Sequence, residues 1–477
     1  MAFQDLRSFI DALAQEKELA IVEAEVDWRD EIQGIVRKTF DDKGPALLFK
    51  NIKDYQTPLF VGGVATYDRF ALALGLPSKT PLEEIVQEFS SRIVKPLKSK
   101  TVDSGPCKEN ILFEKDIDVT RFPVPLWNEM DGGRYFGTWH TLITQDPDTD
   151  WLNAGIYRMM IHDRNKLGVL LAYDQHIGMH YLKYKKLGKA MPAAVAVGLD
   201  PTIPIAAATP FDQGVNEFDM AGAIRREPVE LVKCETSDLL VPASAEIVLE
   251  GEIPIDERTL EGPFGEWVGH YGGKARPRPV FNIKCVTFRN DPIYRGTLEG
   301  KPINEDHICT SISLSALTKN FLTEGCGIQG IRSVFFPACA GGWGMAVVAV
   351  KQHYPGHSRR VAHALLGSKM GAFVKNVIVV DDDINPFNLD EVWWATVTRL
   401  QASRGVNILT RGKTAVLDPS QTSDMRGFTD TMIMEAVKPY EWKPRPEWNN
   451  ERFPPVAYPS EEVMKKVEKN WVKYGIK

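Results

Sequence analysis

Trp139-His-Thr-Leu-Ile143 opens a series of short strand-like runs, and this series decides the fold. It continues through Ile156-Tyr-Arg-Met-Met-Ile161, Val169-Leu-Leu-Ala172, Ala193-Ala-Val-Ala-Val197, Ile203-Pro-Ile-Ala206, Ala245-Glu-Ile-Val-Leu249 and Val280-Phe-Asn-Ile-Lys-Cys-Val286. Many short apolar runs with a single helical pattern among them, at about Gly178 to Leu187, predict a barrel or sandwich. The segment Lys274-Ala-Arg-Pro-Arg-Pro279 reads as an extended or looped insertion, because proline cannot donate to a central ladder.

On the N-terminal side the texture is mixed. Leu6, Phe9, Ile10 and Leu13 fall at helical spacing, Leu19 to Val26 alternates like a strand, and a second helical pattern runs from Ile32 to Phe40. Strand candidates follow at Ala46-Leu-Leu-Phe49 and Leu59-Phe-Val61, which makes a small α/β unit without recognisable chemistry. Beyond the β-rich region, a helical stretch from Ser311 to Thr323 reads as a connector. Strands Val347-Val-Ala-Val350 and Val377-Ile-Val-Val380 then alternate with helical patterns at Arg360 to Leu366 and Leu389 to Leu400, the mark of βαβ units. A proline-rich tail, Tyr440 to Pro459, leads to an amphipathic helix over Ser460 to Tyr474 with Val463, Met464, Val467 and Trp471 on one face. Such a helix on an extended arm predicts docking on a partner subunit. The expected class is multidomain α/β (α+β). Its parts are an N-terminal α/β domain over 1–112, a β-barrel domain over 113–305, a connecting helix over 306–324, a C-terminal α/β domain over 325–450, and an arm and helix over 451–477.

Composition narrows the class of function. The 477 residues are 43% hydrophobic and 25% charged with a formal net charge of -6, which predicts a soluble globular protein and gives no footprint for nucleic acid. No apolar run is long enough to span a bilayer, and the six scattered cysteines contain no CxxC pair, so the expected setting is a reducing cytoplasm without structural zinc. Gly325-Cys-Gly-Ile-Gln-Gly330 matches the dinucleotide fingerprint in letters, but a helical run precedes it and a strand-like run follows, the reverse of what the phosphate site needs.

Chemistry concentrates in Glu261-Gly-Pro-Phe-Gly-Glu266. In a plain strand the two carboxylates would face opposite sides, whereas a Pro-Phe-Gly turn can aim both into one cavity. The polar segment Asn153-Ala-Gly-Ile-Tyr-Arg158 is the candidate partner, offering a guanidinium to that pair. His176 and His180 stand four apart without the glutamate of a zincin. Asn153, His176 and Glu230, the last in the apolar run Glu230-Leu-Val-Lys-Cys234, would make a mixed hard site suited to Mn²⁺ or Mg²⁺.

These motifs carry a resemblance. Asn153 to Arg158, Ile161-His-Asp-Arg-Asn165, Gln175-His176-Ile177, Glu230 to Cys234, Ala245-Glu-Ile-Val-Leu-Glu-Gly251, Glu261 to Glu266 and Asp381-Asp-Asp-Ile-Asn385 resemble, in order and spacing, the UbiD family of reversible decarboxylases. The resemblance spans nearly the whole chain. It implies a central split β-barrel that binds prenylated FMN, lined by Asn153, Ala154, Gly155, Ile156, Tyr157, Arg158, Gln175 and His176. It assigns Asn153, His176 and Glu230 to a divalent metal, usually manganese, that clamps the cofactor phosphate, and Lys369 to the same phosphate. A potassium ion is implied near the carbonyls of Ala206 to Thr209. The catalytic trio it implies is Arg158, Glu261 and Glu266: substrate adds covalently to the prenylated flavin, loses CO₂, and takes a proton from Glu266. It also implies a homo-oligomer, dimer or hexamer, a flavin prenyltransferase as cofactor supplier, and an aromatic, heteroaromatic or α,β-unsaturated acid as substrate. His270 is a further candidate polar handle for substrate. The alternatives are an FMN-dependent oxidoreductase, a non-catalytic flavin carrier, or a decarboxylase acting on an aryl-CoA thioester.

Overall fold

A computed structural model describes residues 3–476. Its centre is a ten-stranded antiparallel sheet, in which eight strands form a path Tyr135–Gly137, Met159–Asp163, Lys166–Val169, Arg276–Phe288, Ile247–Ile253, Met191–Val197, His140–Gln145, Leu152–Gly155. The strands Asn110–Phe113 and Arg258–Glu261 attach to the long strand Arg276–Phe288. The two ends of the path are not paired with each other, so the sheet is a curled half-barrel. Its middle strands are buried on both faces. Ala194 and Ala196 join one hydrophobic core while Ala193, Val195 and Val197 join another, as period-two alternation requires. The proline segment lies extended at the start of the long strand, Pro277 opposite Leu260 and Pro279 opposite Arg258, on a two-stranded projection where a missing N–H is tolerated.

A four-stranded sheet gathers Leu19–Val22, Ala46–Phe49 and Leu59–Val61 from the N-terminal region and closes with Tyr294–Arg295 from far downstream. The third large sheet has the order Ile331–Phe335, Met345–Val350, Asn376–Asp381, Phe428–Ala436, Val406–Lys413, with its three inner strands parallel. The helices His357–Leu366 and Leu389–Arg399 cover its two faces, so that Val348 and Val379 pack in one core and Val347 and Val380 in the other. The connector expected over 306–324 is the helix Glu305–Asn320, begun by a reciprocal cap between Asn304 and His307 six residues ahead of the helical pattern at Ser311.

One expected strand is a helix. Ile203 to Ala206 belongs to the helix Thr202–Ala208, where Asp200 Oδ1 accepts the Thr202 N–H at 2.9 Å and Pro204 sits in the first turn, where no intrahelical donor is needed. The tail helix is shorter than expected, Glu461–Lys469, followed by a single turn at Trp471–Tyr474.

Candidate active site

The turn between Glu261 and Glu266 delivers what its composition predicts. Glu261 ends the strand Arg258–Glu261, Gly262 takes φ of +97°, and the chain folds back so that both carboxylates meet the guanidinium of Arg158. Arg158 Nε and Nη2 donate to the two oxygens of Glu261 at 2.9 and 3.0 Å, while Nη1 donates to Glu266 Oε1. The bidentate pair fixes the plane of the guanidinium. Phe264 lies beneath it, ring centre 5.0 Å from Cζ, and the Tyr135 hydroxyl donates to Glu261 Oε1 at 2.8 Å. The side chains of Glu261 and Glu266 are 1% and 7% exposed. Burial pushes the Glu266 carboxyl above its ordinary range against the pull of Arg158. Burial opposes the charge on Arg158, but Glu266 and Glu261 outweigh it and raise its proton affinity.

Space at Glu266 depends on Gly272. A Cβ there would stand 3.0 Å from Glu266 Oε1 and 2.7 Å from Leu417 Cδ2. Leu417 is half-buried, and Arg426 donates through Nη2 to the Gly272 carbonyl at 2.7 Å across 154 residues of separation, so this wall of the site comes from a distant part of the chain. Arg278, which sequence reading left in an insertion, counters the upward shift of Glu266. Its Nε is buried without a partner.

The segment Asn153–Arg158 runs from this cluster to a second one. Five residues of extended chain span at most roughly 17 Å. At the far end Asn153 is buried on the strand Leu152–Gly155, and its Nδ2 has no partner. Glu217, at the start of the helix Glu217–Arg225, stands with Oε1 3.6 Å from His176 Nδ1, and its Oε2 accepts the Ala154 N–H at 2.9 Å. Trp151 wedges between the rings of His176 and His180, at 5.0 and 4.6 Å, and its Nε1 donates to the Val215 carbonyl at 2.8 Å. His180 itself turns away, with Nδ1 2.9 Å from Thr144 Oγ1, and burial depresses it to about 4. Lys369 reaches the adjacent loop, bonding the Phe211 carbonyl and, at 3.2 Å, Asp212 Oδ1.

Glu230 does not join this cluster. Its side chain is 53% exposed and pairs with Lys100 at 2.8 Å, because the strand Glu230–Lys233 lies in a small separate sheet with Lys100–Val102 and Leu240–Pro242 and buries only its two middle residues. Glu217 occupies the position expected of Glu230. Among the described residues no three His, Cys, Asp or Glu cluster as for a metal; here the third donor is an asparagine. An amide whose oxygen accepts only a long bond from the Tyr157 hydroxyl, at 3.4 Å, an imidazole and a buried carboxylate are a donor set that suits a hard divalent cation. In the stretch Ala206 to Thr209 the Ala206 carbonyl accepts the Thr209 N–H at 3.1 Å and the Thr209 carbonyl accepts the Phe211 N–H at 2.8 Å. Of the remaining expected positions, Ala154 and Gly155 are buried on the strand and Ile156 is half-buried. Tyr157 is buried against Gly155, whereas Gln175 and His270 are exposed.

Three family models of the 3-octaprenyl-4-hydroxybenzoate carboxy-lyase, UbiD, match residues 10–89, 99–302 and 308–436 as its N-terminal, Rift-related and C-terminal domains. Pyrrole-2-carboxylic acid decarboxylase of Pseudomonas aeruginosa is 32% identical over 99% of this chain and 98% of its own. The solved vanillic acid decarboxylase of Sedimentibacter hydroxybenzoicus superposes with a TM-score of 0.88 at 31% identity, covering 99% of this chain and 100% of the other. An evolved dimeric form of the UbiD-class enzyme HmfF from Pelotomaculum thermopropionicum, in complex with prFMN, superposes with a TM-score of 0.83 at 29% identity, over 98% of this chain and 100% of the other.

Proposed function

This chain belongs to the UbiD family of carboxy-lyases, and from that premise we propose that it decarboxylates an aromatic, heteroaromatic or α,β-unsaturated carboxylic acid with prenylated FMN, Glu266 supplying the proton that replaces CO₂. One observation carries the reading: a single buried guanidinium, Arg158, is shared by two buried carboxyls, of which Glu266 has its proton affinity raised.

The bond that breaks joins an sp² carbon to the carboxyl carbon, and its electron pair is left in the ring plane, where no side chain can delocalise it. The prenylated flavin supplies that electron sink when bound. Arg158 orients the substrate carboxylate beside Glu266, and Glu261 holds Arg158 in plane. Glu266, its proton affinity raised by burial, gives its proton to the carbon that lost CO₂ and is recharged from water. Phe264 under the guanidinium and Leu417 across Gly272 keep the site dry, which strengthens every charge interaction within it. Asn153, His176 and Glu217 would hold a manganese or magnesium ion, and that ion with Lys369 would neutralise the cofactor phosphate at the opposite end of the segment 153–158.

The same reading extends to assembly and supply. A flavin prenyltransferase provides the cofactor, and the chain works as a homo-oligomer in the cytoplasm. Exposed Val463, Trp471 and Val472 on the tail and Trp393, Trp394 and Val397 on the C-terminal unit support a covered apolar surface. No helix among the described residues is long and apolar enough to cross a membrane. The test is to co-produce the protein with a flavin prenyltransferase without oxygen, weigh the released cofactor, and screen heteroaromatic and phenolic acids for CO₂. Prenylated FMN with release of CO₂ from one class is expected. Plain FMN that cycles with NAD(P)H, and no CO₂ from any acid, would overturn the proposal in favour of an oxidoreductase.

A further inference from the structure

The loop that carries Glu261 and Glu266 is held from outside by residues the mechanism does not use. A strap over residues 128–135 lies across it. Gly132 N donates to the Pro263 carbonyl at 2.7 Å, and the Tyr135 ring packs on Phe264 with centres 4.3 Å apart. Asp131 Oδ1 accepts the N–H of Gly265, one residue before Glu266, at 2.8 Å, and Oδ2 accepts the N–H of Asn128 at 3.1 Å. The approach is close enough to need two glycines. A Cβ on Gly132 would lie 2.0 Å from the Gly262 carbonyl oxygen, and one on Gly265 would lie 2.5 Å from Asn128 Nδ2. Asp131 makes no ion pair among the described residues, although Arg158 acts on its charge from a distance. Burial pushes it up to about 7 in spite of its two backbone donors.

We propose that Asp131 is a positioning residue for decarboxylation: by accepting the N–H groups of Gly265 and Asn128 it locks the 261–266 loop onto the strap and so fixes Glu266 opposite Arg158. This rests on the reading of Glu266 as proton donor. The physical reason is local. The loop's remaining backbone anchors on this side, Glu266 N to the His270 carbonyl at 3.1 Å and Gly269 N to the Glu266 carbonyl at 2.8 Å, tie it only to the residues that follow it. Asp131 is the tie between the acid-bearing backbone and another element within one residue of Glu266. A displacement of about 1 Å at a reacting group is enough to cost on the order of a hundredfold in rate.

The experiment compares Asp131→Ala, Asp131→Asn, Gly132→Ala and Glu266→Gln in the cofactor-loaded enzyme, reading kcat and KM separately, bound flavin per chain, and exchange of substrate hydrogen with D₂O. Asp131→Ala is expected to lower kcat and exchange by on the order of tenfold to a hundredfold, with KM and flavin content close to those of the parent. Asp131→Asn, whose amide oxygen still accepts from Gly265, recovers most of that loss. Gly132→Ala, which wedges the strap away from Gly262 without touching Asp131, reproduces the kcat-selective loss and serves if Asp131→Ala does not fold. A parental kcat in Asp131→Ala, or equal losses in Asp131→Ala and Asp131→Asn, overturns the inference while an inactive Glu266→Gln leaves the donor assignment standing. An active Glu266→Gln overturns the donor assignment itself, whatever Asp131 does.

Discussion

Exchanging two glutamates separates the metal site read from the sequence from the one proposed around Glu217. Glu217→Gln keeps the volume of a buried side chain and the acceptor for Ala154 N–H, but removes the charge that faces His176 at 3.6 Å. A unit charge at about 4 Å in an effective dielectric of about 20 is worth about 4 kcal/mol, and a divalent ion feels more, offset by desolvation. The expected loss of Mn²⁺ affinity is therefore roughly a thousandfold. Glu230→Ala removes a half-exposed partner of Lys100, an ion pair worth at most about 1 kcal/mol, and leaves metal affinity unchanged. Titration of Mn²⁺ into metal-stripped protein, followed by electron paramagnetic resonance, reads binding without any turnover. Flavin retained through desalting gives a second readout, because the phosphate loses its clamp only in Glu217→Gln. A parental Mn²⁺ affinity in Glu217→Gln, or its loss in Glu230→Ala, would refute the reasoning.

Other perturbations test the reactive end. Glu266→Gln is expected to abolish CO₂ release and solvent hydrogen exchange while flavin stays bound; full turnover by this variant would remove Glu266 from the mechanism. Arg158→Lys replaces a planar fork by a point charge that cannot bond both oxygens of Glu261 and Glu266 at once. It should cost on the order of a hundredfold in kcat/KM and about 3 kcal/mol of stability, measured by steady-state kinetics and denaturant unfolding. Arg278→Gln removes a charge that holds the Glu266 carboxyl down. Glu266 donates only while protonated, so turnover falls as pH rises through its pKa, and in this variant that fall moves to higher pH in the kcat profile.

The two halves of the site differed in legibility for a physical reason. Alternation in Ala193 to Val197 and in Val347 to Val350 is a local signal, and it gave both sheets because each strand feeds a core on either face. The Glu261–Glu266 pair was legible because six consecutive residues contain both acids and the turn that joins them. Ile203 to Ala206 misled because its β-branched residues signal a strand, while the Asp200 side chain that accepts the Thr202 N–H and the first-turn position of Pro204 lie in the context around it. Glu217 left no comparable trace. It reaches Ala154 across 63 residues of separation, a juxtaposition produced by packing the helix Glu217–Arg225 against the sheet rather than by spacing along the chain. The pairing of Tyr294–Arg295 with Leu59–Val61, which ties the N-terminal sheet to the end of the barrel, was hidden for the same reason.

Leu417 and Arg426 reach Gly272, beside Glu266, from a segment far along the chain from the residues that hold the acid. Arg158, Glu261 and Glu266 are held by the half-barrel sheet and its turn, so a change in the stretch from Thr414 to Gly427 reaches Glu266 through the packing of Leu417 and the Arg426 bond at Gly272. Grafting that segment between relatives would therefore alter the surroundings of the acid while leaving in place the residues that hold it.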